Sequence, residues 1–350
     1  MPSGLLIRLR PNSPWRIGPD SGDRDRVDRI LHSDSLYSAV TAAMFLLGDG
    51  ESWLDATARP SSTNAGPAVR FSSCFPFQGD ALYVPPPETL WPPPASSKVR
   101  WKGARFVPIS VVETLVAGKA VPEDGWMIDG PSECLVPLSM PPNPGPFRVA
   151  VRSNAAIDRA GASVTTHSTA CLEFTPDSGI WTVAVFDNEE ARERWSSAVV
   201  GAVRLLADSG LGGERSRGFG RAEMPEISEG QFPDLLSTRK RPSELSSVLW
   251  PLSSSSQAWW LLSLFHPAAS DPVDWTHGSY SLTTRLGRVE SSAGWGDPKK
   301  ATRMVTEGSV LVAPSEPRGS ATDVAPEGFP HPVYRNGFAL AIPIPYKTPS

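Results

Sequence analysis

The sequence predicts an α+β fold: a first half that mixes strands with two helices, then a second half made almost wholly of strands. Three observations carry this. Short alternating or β-branched runs recur along the whole chain, only two long stretches keep helical period, and proline and glycine punctuate the remainder. Of 350 residues, 37 are proline and 29 glycine, proline standing at about twice its usual frequency of roughly 5%. Long-helix bundles, coiled coils and helical solenoids are thereby set aside. At roughly 100–200 residues per domain the length suggests two domains. With 40% hydrophobic residues, 20% charged residues and a net charge of −4, neither wholesale disorder nor a strongly basic nucleic-acid scaffold fits.

The elements follow in order. Leu5, Ile7 and Leu9 alternate with Leu6, Arg8 and Arg10, which predicts an opening strand. A polar loop from Pro11 to Arg29 leads to Ser33 or Asp34, either of which can cap a helix. Its apolar positions Leu36, Val40, Ala43, Met44 and Leu47 recur at spacings of three and four, and Gly48 ends it. Val69–Phe75 and Ala81–Val84 read as strands, and the proline triplets at 85–87 and 92–94 impose extended chain. The span of about 86–146 carries little periodic signal beyond a possible helix at Val111–Ala117, and reads as a proline-rich insertion. Phe147–Arg152 reads as a strand. Cys171–Phe174 and Ile180–Phe186, separated by Thr175-Pro176-Asp177-Ser178-Gly179, read as a hairpin. A helix from about Asn188 to Asp208 follows, with Trp195, Ala198, Val199, Ala202, Leu205 and Leu206 in period, then a strand at Phe219–Met224.

That β-α-β-β-α-β order is the ferredoxin-like pattern, so residues 1–225 read as one such domain with an insertion. The Ser/Pro-rich stretch 226–256 reads as a linker. Residues 257–350, with strands expected at Ala258–Phe265, Tyr280–Arg285, Ala301–Val305, Ser309–Val312 and Phe338–Ile344, read as a smaller β-rich domain.

Cys74, Cys134 and Cys171 are odd in number and widely spaced, so neither a disulfide framework nor a zinc knuckle is implied. No stretch has the length of a signal-peptide core or a membrane span, and a cytoplasmic protein is expected. The histidines His167, His266, His277 and His331 share no metal-ligand spacing, and no Gly-x-Ser-x-Gly elbow occurs.

The most unusual stretch runs from Gly210 to Arg221, with Gly210, Gly212, Gly213, Gly218 and Gly220 interleaved with Arg215, Arg217 and Arg221. No dinucleotide-binding register can be laid on it, and Phe219 stands where a phosphate-binding P-loop needs lysine. Two readings stay open. Either the unobstructed backbone brings N–H groups to phosphates while the arginines neutralise charge, or the segment is a helix-to-strand turn with solvated arginines.

This run closely resembles the glycine loop of the RAMP superfamily of CRISPR effector proteins. His32-Ser33-Asp34-Ser35-Leu36, Ser72–Pro76 with Tyr83–Pro85, and Arg152-Ser153-Asn154-Ala155-Ala156-Ile157-Asp158-Arg159 are similar to segments of one family within it. Trp260–Leu264, Arg285-Leu286-Gly287, Gly308-Ser309-Val310 and Tyr334-Arg335-Asn336-Gly337 follow in the same family's order. The family is subunit four of the Csm complex, the type III-A CRISPR effector. The resemblance implies two ferredoxin-like (RRM-like) domains and a non-catalytic RNA-binding subunit without cofactor or metal. It implies that the subunit holds the crRNA 5′ handle and bridges the large polymerase-like signalling subunit to backbone RAMP subunit three. On that basis the candidate RNA-binding residues are Arg152, Asn154, Arg159, Gly212, Gly213, Arg215, Ser216, Arg217, Gly218, Phe219, Gly220 and Arg221. Phe219 is either a stacking platform or the first core residue of a strand, and Asp158 would orient Arg159 or a backbone amide. The sequence departs from the family in its proline-rich insertion and in Ala160-Gly161-Ala162.

Two other readings stand beside this one. His32, near the first helix, could be the general base of a RAMP-type metal-independent endoribonuclease, although Asp34 is its only evident neighbour. Arg239-Lys240-Arg241 is a second basic cluster, either a solvated loop or an RNA-facing patch.

Overall fold

A computed structural model describes residues 1–19, 22–59, 66–93, 101–138, 144–157, 164–237, 258–291 and 294–346. The central layer is an antiparallel sheet. Its strands are β1 (Ser3–Leu9), β2 (Val69–Phe71), β3 (Phe75–Gln78), β4 (Ala81–Val84), β5 (Val107–Pro108), β10 (Ser178–Phe186) and β11 (Glu226–Gln231). They lie in the order β11-β1-β10-β3-β4-β5, with β2 also paired to β10. β10 is buried at every position, as befits the strand with neighbours on both sides.

Helices α1 (Ser33–Leu47), α2 (Gly50–Thr57) and α4 (Glu189–Ser209) form the layer against it, α4 packing on β1 and β10, and α1 and α2 on β2. An aromatic cluster joins the three helices. Trp53 of α2 meets Trp195 of α4 edge-on at 5.3 Å and stacks on Tyr37 of α1 at 6.0 Å. The polar ends of these rings find partners: Tyr37 Oη bonds Thr57 Oγ1 at 2.7 Å, and Trp53 Nε1 donates to Thr41 Oγ1 at 2.9 Å. Asn188 caps α4 by accepting from the Ala191 amide. Gly48 ends α1 in the left-handed region, at φ 93°.

Several expectations need correction. The span read as an insertion supplies β5, α3 (Ile109–Val116), and the ribbon β6 (Trp126–Asp129) with β7 (Cys134–Pro137). Trp101, Phe106, Val107, Ile109 and Val112 all join the main core, because β5 extends the sheet beyond β4 and α3 packs over both. The strand expected at Phe219–Met224 lies instead at 226–231, inside the stretch read as linker, and its polar sequence explains the slip: β11 is an exposed edge strand. The turn between β9 (Val164–Phe174) and β10 is where it was expected, with Asp177 at φ 54°, yet the flanking strands do not pair with each other. β9 instead forms an eleven-residue ladder with β8 (Phe147–Ile157). Leu47, read as part of the apolar face of α1, is half exposed.

Among described residues of 258–346 there are strands and no α-helix. β12 (Ala258–Leu261), β13 (Asp274–Ser279), β18 (Val310–Val312) and β21 (Ala341–Ile344) form a four-stranded sheet in the order β13-β18-β12-β21. Three two-stranded ribbons flank it: β14 (Leu282–Arg285) with β17 (Thr302–Val305), β15 (Arg288–Ser291) with β16 (Gly294–Pro298), and β19 (Gly319–Asp323) with β20 (Tyr334–Phe338). The main core runs without a break into this half through Ala258, Trp260, Val310 and Ile342. Trp260 Nε1 donates to the Pro85 carbonyl at 3.2 Å.

Candidate RNA interface

The glycine loop leaves the C-terminus of α4 at Gly210 and is folded back on itself. Leu211 N donates to the Gly220 carbonyl at 3.0 Å, and Gly220 N donates to the Pro14 carbonyl at 2.9 Å. Gly210, Gly212, Gly218 and Gly220 all have positive φ, as does Glu214 at 60°. At Gly212 an added Cβ would meet the Arg16 carbonyl, and at Gly220 the Leu211 carbonyl. The amides of Gly210, Gly213, Gly218 and Gly220 already donate to main-chain carbonyls. The glycines therefore serve close backbone packing, and an open cradle of phosphate-binding amides is not what Gly213, Gly218 and Gly220 build.

What the folded loop displays is its arginines. A single turn of 3₁₀ helix spans Arg215–Arg217, with Ser216 exposed between two half-exposed guanidiniums. Arg215 pairs with Glu290 at 2.9 Å and Arg217 with Glu214 at 2.8 Å. Arg221 is exposed, its carbonyl accepting from Trp15 Nε1 and Ser13 Oγ. Phe219 is buried, which favours the core role for its ring over the stacking role.

Arg16 anchors the loop. Its carbonyl accepts from Gly213 N at 2.8 Å, while its buried guanidinium donates to the carbonyls of Asp23, Arg24, Arg26 and Ala170. Ala170 belongs to β9, so one residue, through its main-chain carbonyl and its guanidinium, ties the glycine loop to the β8–β9 ribbon. A second tie is Arg217 Nη1 to His167 Nε2 of β9, at 3.1 Å. Arg152 projects from β8 and is held by Glu173 in a two-pronged contact, with nitrogen–oxygen distances of 3.1 and 2.8 Å. Asn154 lies in β8 opposite His167 in the ladder, and its side chain is outside the described residues. Arg159, Asp158 and Arg239-Lys240-Arg241 also lie outside them. Arg215, Arg217 and Arg221 of the loop and Arg152 of the ribbon are all exposed. A cavity of about 360 Å³ opens between the loop and the start of α1, lined by Arg16, Arg24, His32, Gly213, Glu214 and Arg285.

Beneath this surface the motif residues at the start of α1 lock the two halves together. Ser33 and Asp34 do not cap α1; Asp34 is buried, with Arg285 Nε and Nη2 at 3.1 and 3.0 Å and Arg335 Nη1 at 2.7 Å. Burial pushes the Asp34 carboxyl up, but the two guanidiniums outweigh it and hold the group below its usual range. Ser33 Oγ accepts from the Leu264 amide. His32 Nδ1 contacts buried Glu307 at 2.8 Å, and Ser73 Oγ donates to the same carboxylate oxygen. Burial pulls His32 down, yet the Glu307 charge and hydrogen bond leave it above its ordinary value. An imidazole whose protonated form a buried carboxylate favours is poorly prepared to act as a general base. Glu307 stands in no segment the sequence reading singled out. No local pattern could have found it, since its partner lies 275 residues away. Among the described residues no group of His, Cys, Asp and Glu could hold a metal ion, and no helix is long and apolar enough to cross a membrane.

Residues 254–344 match the family model of the CRISPR Csm4 C-terminal domain. The whole chain is similar in fold to a chain of the Csm3–Csm4 subcomplex of the type III-A CRISPR-Cas interference complex. The TM-score is 0.64 at 15% identity, covering 98% of this chain and 100% of that one. It is likewise similar to a chain of the Csm1–Csm4 cassette in complex with pppApA, at TM-score 0.58 and 16% identity, covering 99% of both. No curated protein matches the sequence. Residues 254–344 are thus similar to the Csm4 C-terminal domain, and the chain as a whole shares its fold with chains of these Csm4-containing complexes.

Proposed function

We propose that this chain is the non-catalytic subunit of a type III-A CRISPR (Csm) complex that holds the crRNA 5′ handle, and that it bridges the large signalling subunit to backbone subunit three. The observation that carries the reading is the joining of the glycine loop to the β8–β9 ribbon by Arg16 and by the Arg217–His167 contact, on a loop whose Arg215, Arg217 and Arg221 are all exposed. A single strand held by its backbone needs such a surface, with cations for phosphates and no acid/base cluster. Both bridging partners occur beside Csm4 in the solved complexes whose fold the chain shares.

The sheet order β11-β1-β10-β3, with α1 after β1 and α4 after β10, supports reading the N-terminal half as a ferredoxin-like domain. The C-terminal half is the more divergent of the two domains, with ribbons around a four-stranded sheet.

The test is to co-express the tagged chain with its neighbouring genes and a CRISPR array, and to sequence the 5′ ends of the RNA that co-purifies. Wild type is expected to retain RNA with one repeat-derived 5′ end, and an Arg215→Glu/Arg217→Glu variant to lose it or blur that end. Heterogeneous ends that ignore the variant would sink the reading.

A further inference from the structure

The arginines displayed by the ribbon and the loop are engaged within the chain itself. Arg148 and Arg152 stand four residues apart in β8, hence on one face of the strand, and Glu173 lies across from them in β9. Each oxygen of Glu173 accepts the Nε–Nη2 edge of one guanidinium. Oε2 takes Arg148 at 3.1 and 2.9 Å, and Oε1 takes Arg152 at 3.1 and 2.8 Å. Hydrogen bonds from Arg152 and Arg148 hold the Glu173 carboxyl below its usual range. In the loop, Arg215 Nη2 reaches Glu290 of β15, 75 residues further along the chain, at 2.9 Å, and Arg217 Nη1 reaches Glu214 at 2.8 Å.

These pairs differ in kind from the one at Asp34. There the carboxylate is 4% exposed and its two arginines 5% and 6%, so parting them would leave bare charges in the interior. Glu290 is 65% exposed and Arg215 44%, and both regain water when they part. A phosphodiester brings the same charge as a carboxylate and takes the same paired N–H donors of a guanidinium, so a phosphate that uses the Nε–Nη2 edge of Arg152 has to displace Glu173.

Resting on the RNA-binding reading above, we propose that Glu173 and Glu290 are internal stand-ins for phosphate, which occupy these arginines in the free chain and compete with an incoming strand for them. The cost of displacement falls on every strand alike. It leaves the ratio between one RNA and another unchanged and lowers the affinity of all, so a strand held by phosphates alone, with no base contacts to offset the loss, is the one released. The opposite role, in which each carboxylate sets its arginine in place for the strand, predicts the opposite sign when the carboxylate is removed.

The experiment measures binding of the full chain to a short fluorescein-labelled single-stranded RNA of mixed sequence, by anisotropy over a series of KCl concentrations. Glu173→Gln and Glu290→Gln keep the size of the side chain and remove its charge. Each is expected to tighten binding about two- to fivefold, the range of one exposed ion pair, and to steepen the log–log salt slope by up to about 0.7 for each guanidinium released to a phosphate. Two comparisons separate displacement from a general loss of negative charge. Glu223, exposed two residues beyond Arg221, pairs with none of these arginines among the described residues, and Glu223→Gln is expected to change affinity less than either. In an Arg215→Gln background, Glu290→Gln is expected to gain nothing, since the pair it would open is already gone. Weaker binding in Glu173→Gln and Glu290→Gln would make the carboxylates positioning groups and overturn the inference, while the RNA-binding reading stood. A gain no larger than that of Glu223→Gln, or one that survives Arg215→Gln, would overturn it equally. Wild-type binding that is absent at every salt concentration, or that ignores Arg215→Glu/Arg217→Glu, removes the RNA-binding reading and the inference with it.

Discussion

Arg16 shows how one buried side chain can serve a surface it does not itself reach. Four main-chain carbonyls accept from its guanidinium, and they belong to the loop at 23–26 and to β9. Arg16→Met keeps the stem but removes the guanidinium from these carbonyls, of which Arg24's keeps the Ala170 amide, at a cost of about 2–3 kcal/mol. The expected readout is a lower melting temperature together with faster hydrogen exchange at the Gly213 amide; an unchanged exchange rate there would mean that Arg16 does not hold the loop. His32 makes a prediction in pH. Its value is raised in the folded state, so its contribution is complete below the unfolded value of about 6.5 and is lost as pH rises through the higher folded value. Wild type is therefore expected to lose stability on the alkaline side of pH 6.5 with a slope that His32→Gln lacks, as urea midpoints taken across that window would show.

At the scale of elements, glycine identity matters where the backbone closes on itself and little elsewhere. Gly218 and Gly220 have almost the same φ, 82° and 80°, but an added Cβ at Gly218 meets nothing within 4 Å, whereas at Gly220 it meets the Leu211 carbonyl. Gly218→Ala should cost only the left-handed penalty of about 1–2 kcal/mol, and Gly220→Ala clearly more, since the strand of chain at Leu211 has to move. Denaturant titration of the two variants decides it, and equal losses would mean the loop is looser than its geometry. The same contrast explains what was legible in the sequence. α1 and α4 stood out because their buried residues keep a 3.6-residue period, and β1, β2, β4, β12 and β18 because their runs carry apolar residues. β11 and β13 were missed because Glu-Ile-Ser-Glu-Gly-Gln and Asp-Trp-Thr-His-Gly-Ser are largely exposed edges or ribbons, where pairing and not burial makes the strand. The turn at Thr175–Gly179 was readable from its residues, but the partners of the flanking strands were not, since pairing is decided by what the rest of the chain offers. The loop arginines were legible as a cluster; the need of Gly212 and Gly220 for close packing was not.

On the scale of the whole molecule, residues that resemble family motifs turn out to fasten the halves together. Asp34 lies near the start of the chain, and its two arginines lie 251 and 301 residues further on. All three are buried, and the core continues beneath them through Trp260 and Ile342. A carboxylate shared by two buried guanidiniums is poor evidence of net stabilisation, but removing it strands two cations in a low-dielectric interior. Asp34→Asn is expected to cost about 3–5 kcal/mol and to loosen both halves together, because the strain falls on their common boundary. The wild-type contribution has a defined sign in pH: with the folded value below 3.8, it is present above that pH and fades as acid carries the group through its lower folded value. Hydrogen exchange read by mass spectrometry separates the alternatives, since peptides from α4 and from β12 and β18 should lose protection at one denaturant concentration in wild type and at one lower concentration in Asp34→Asn. If the C-terminal sheet opened first and left α4 protected, the halves would be separate folding units joined by contacts of little consequence. The glycine loop would then keep its shape without them. If they open together, the basic surface is a property of the whole chain, because the loop that displays it abuts Leu286 and Arg288 of the second half in one groove.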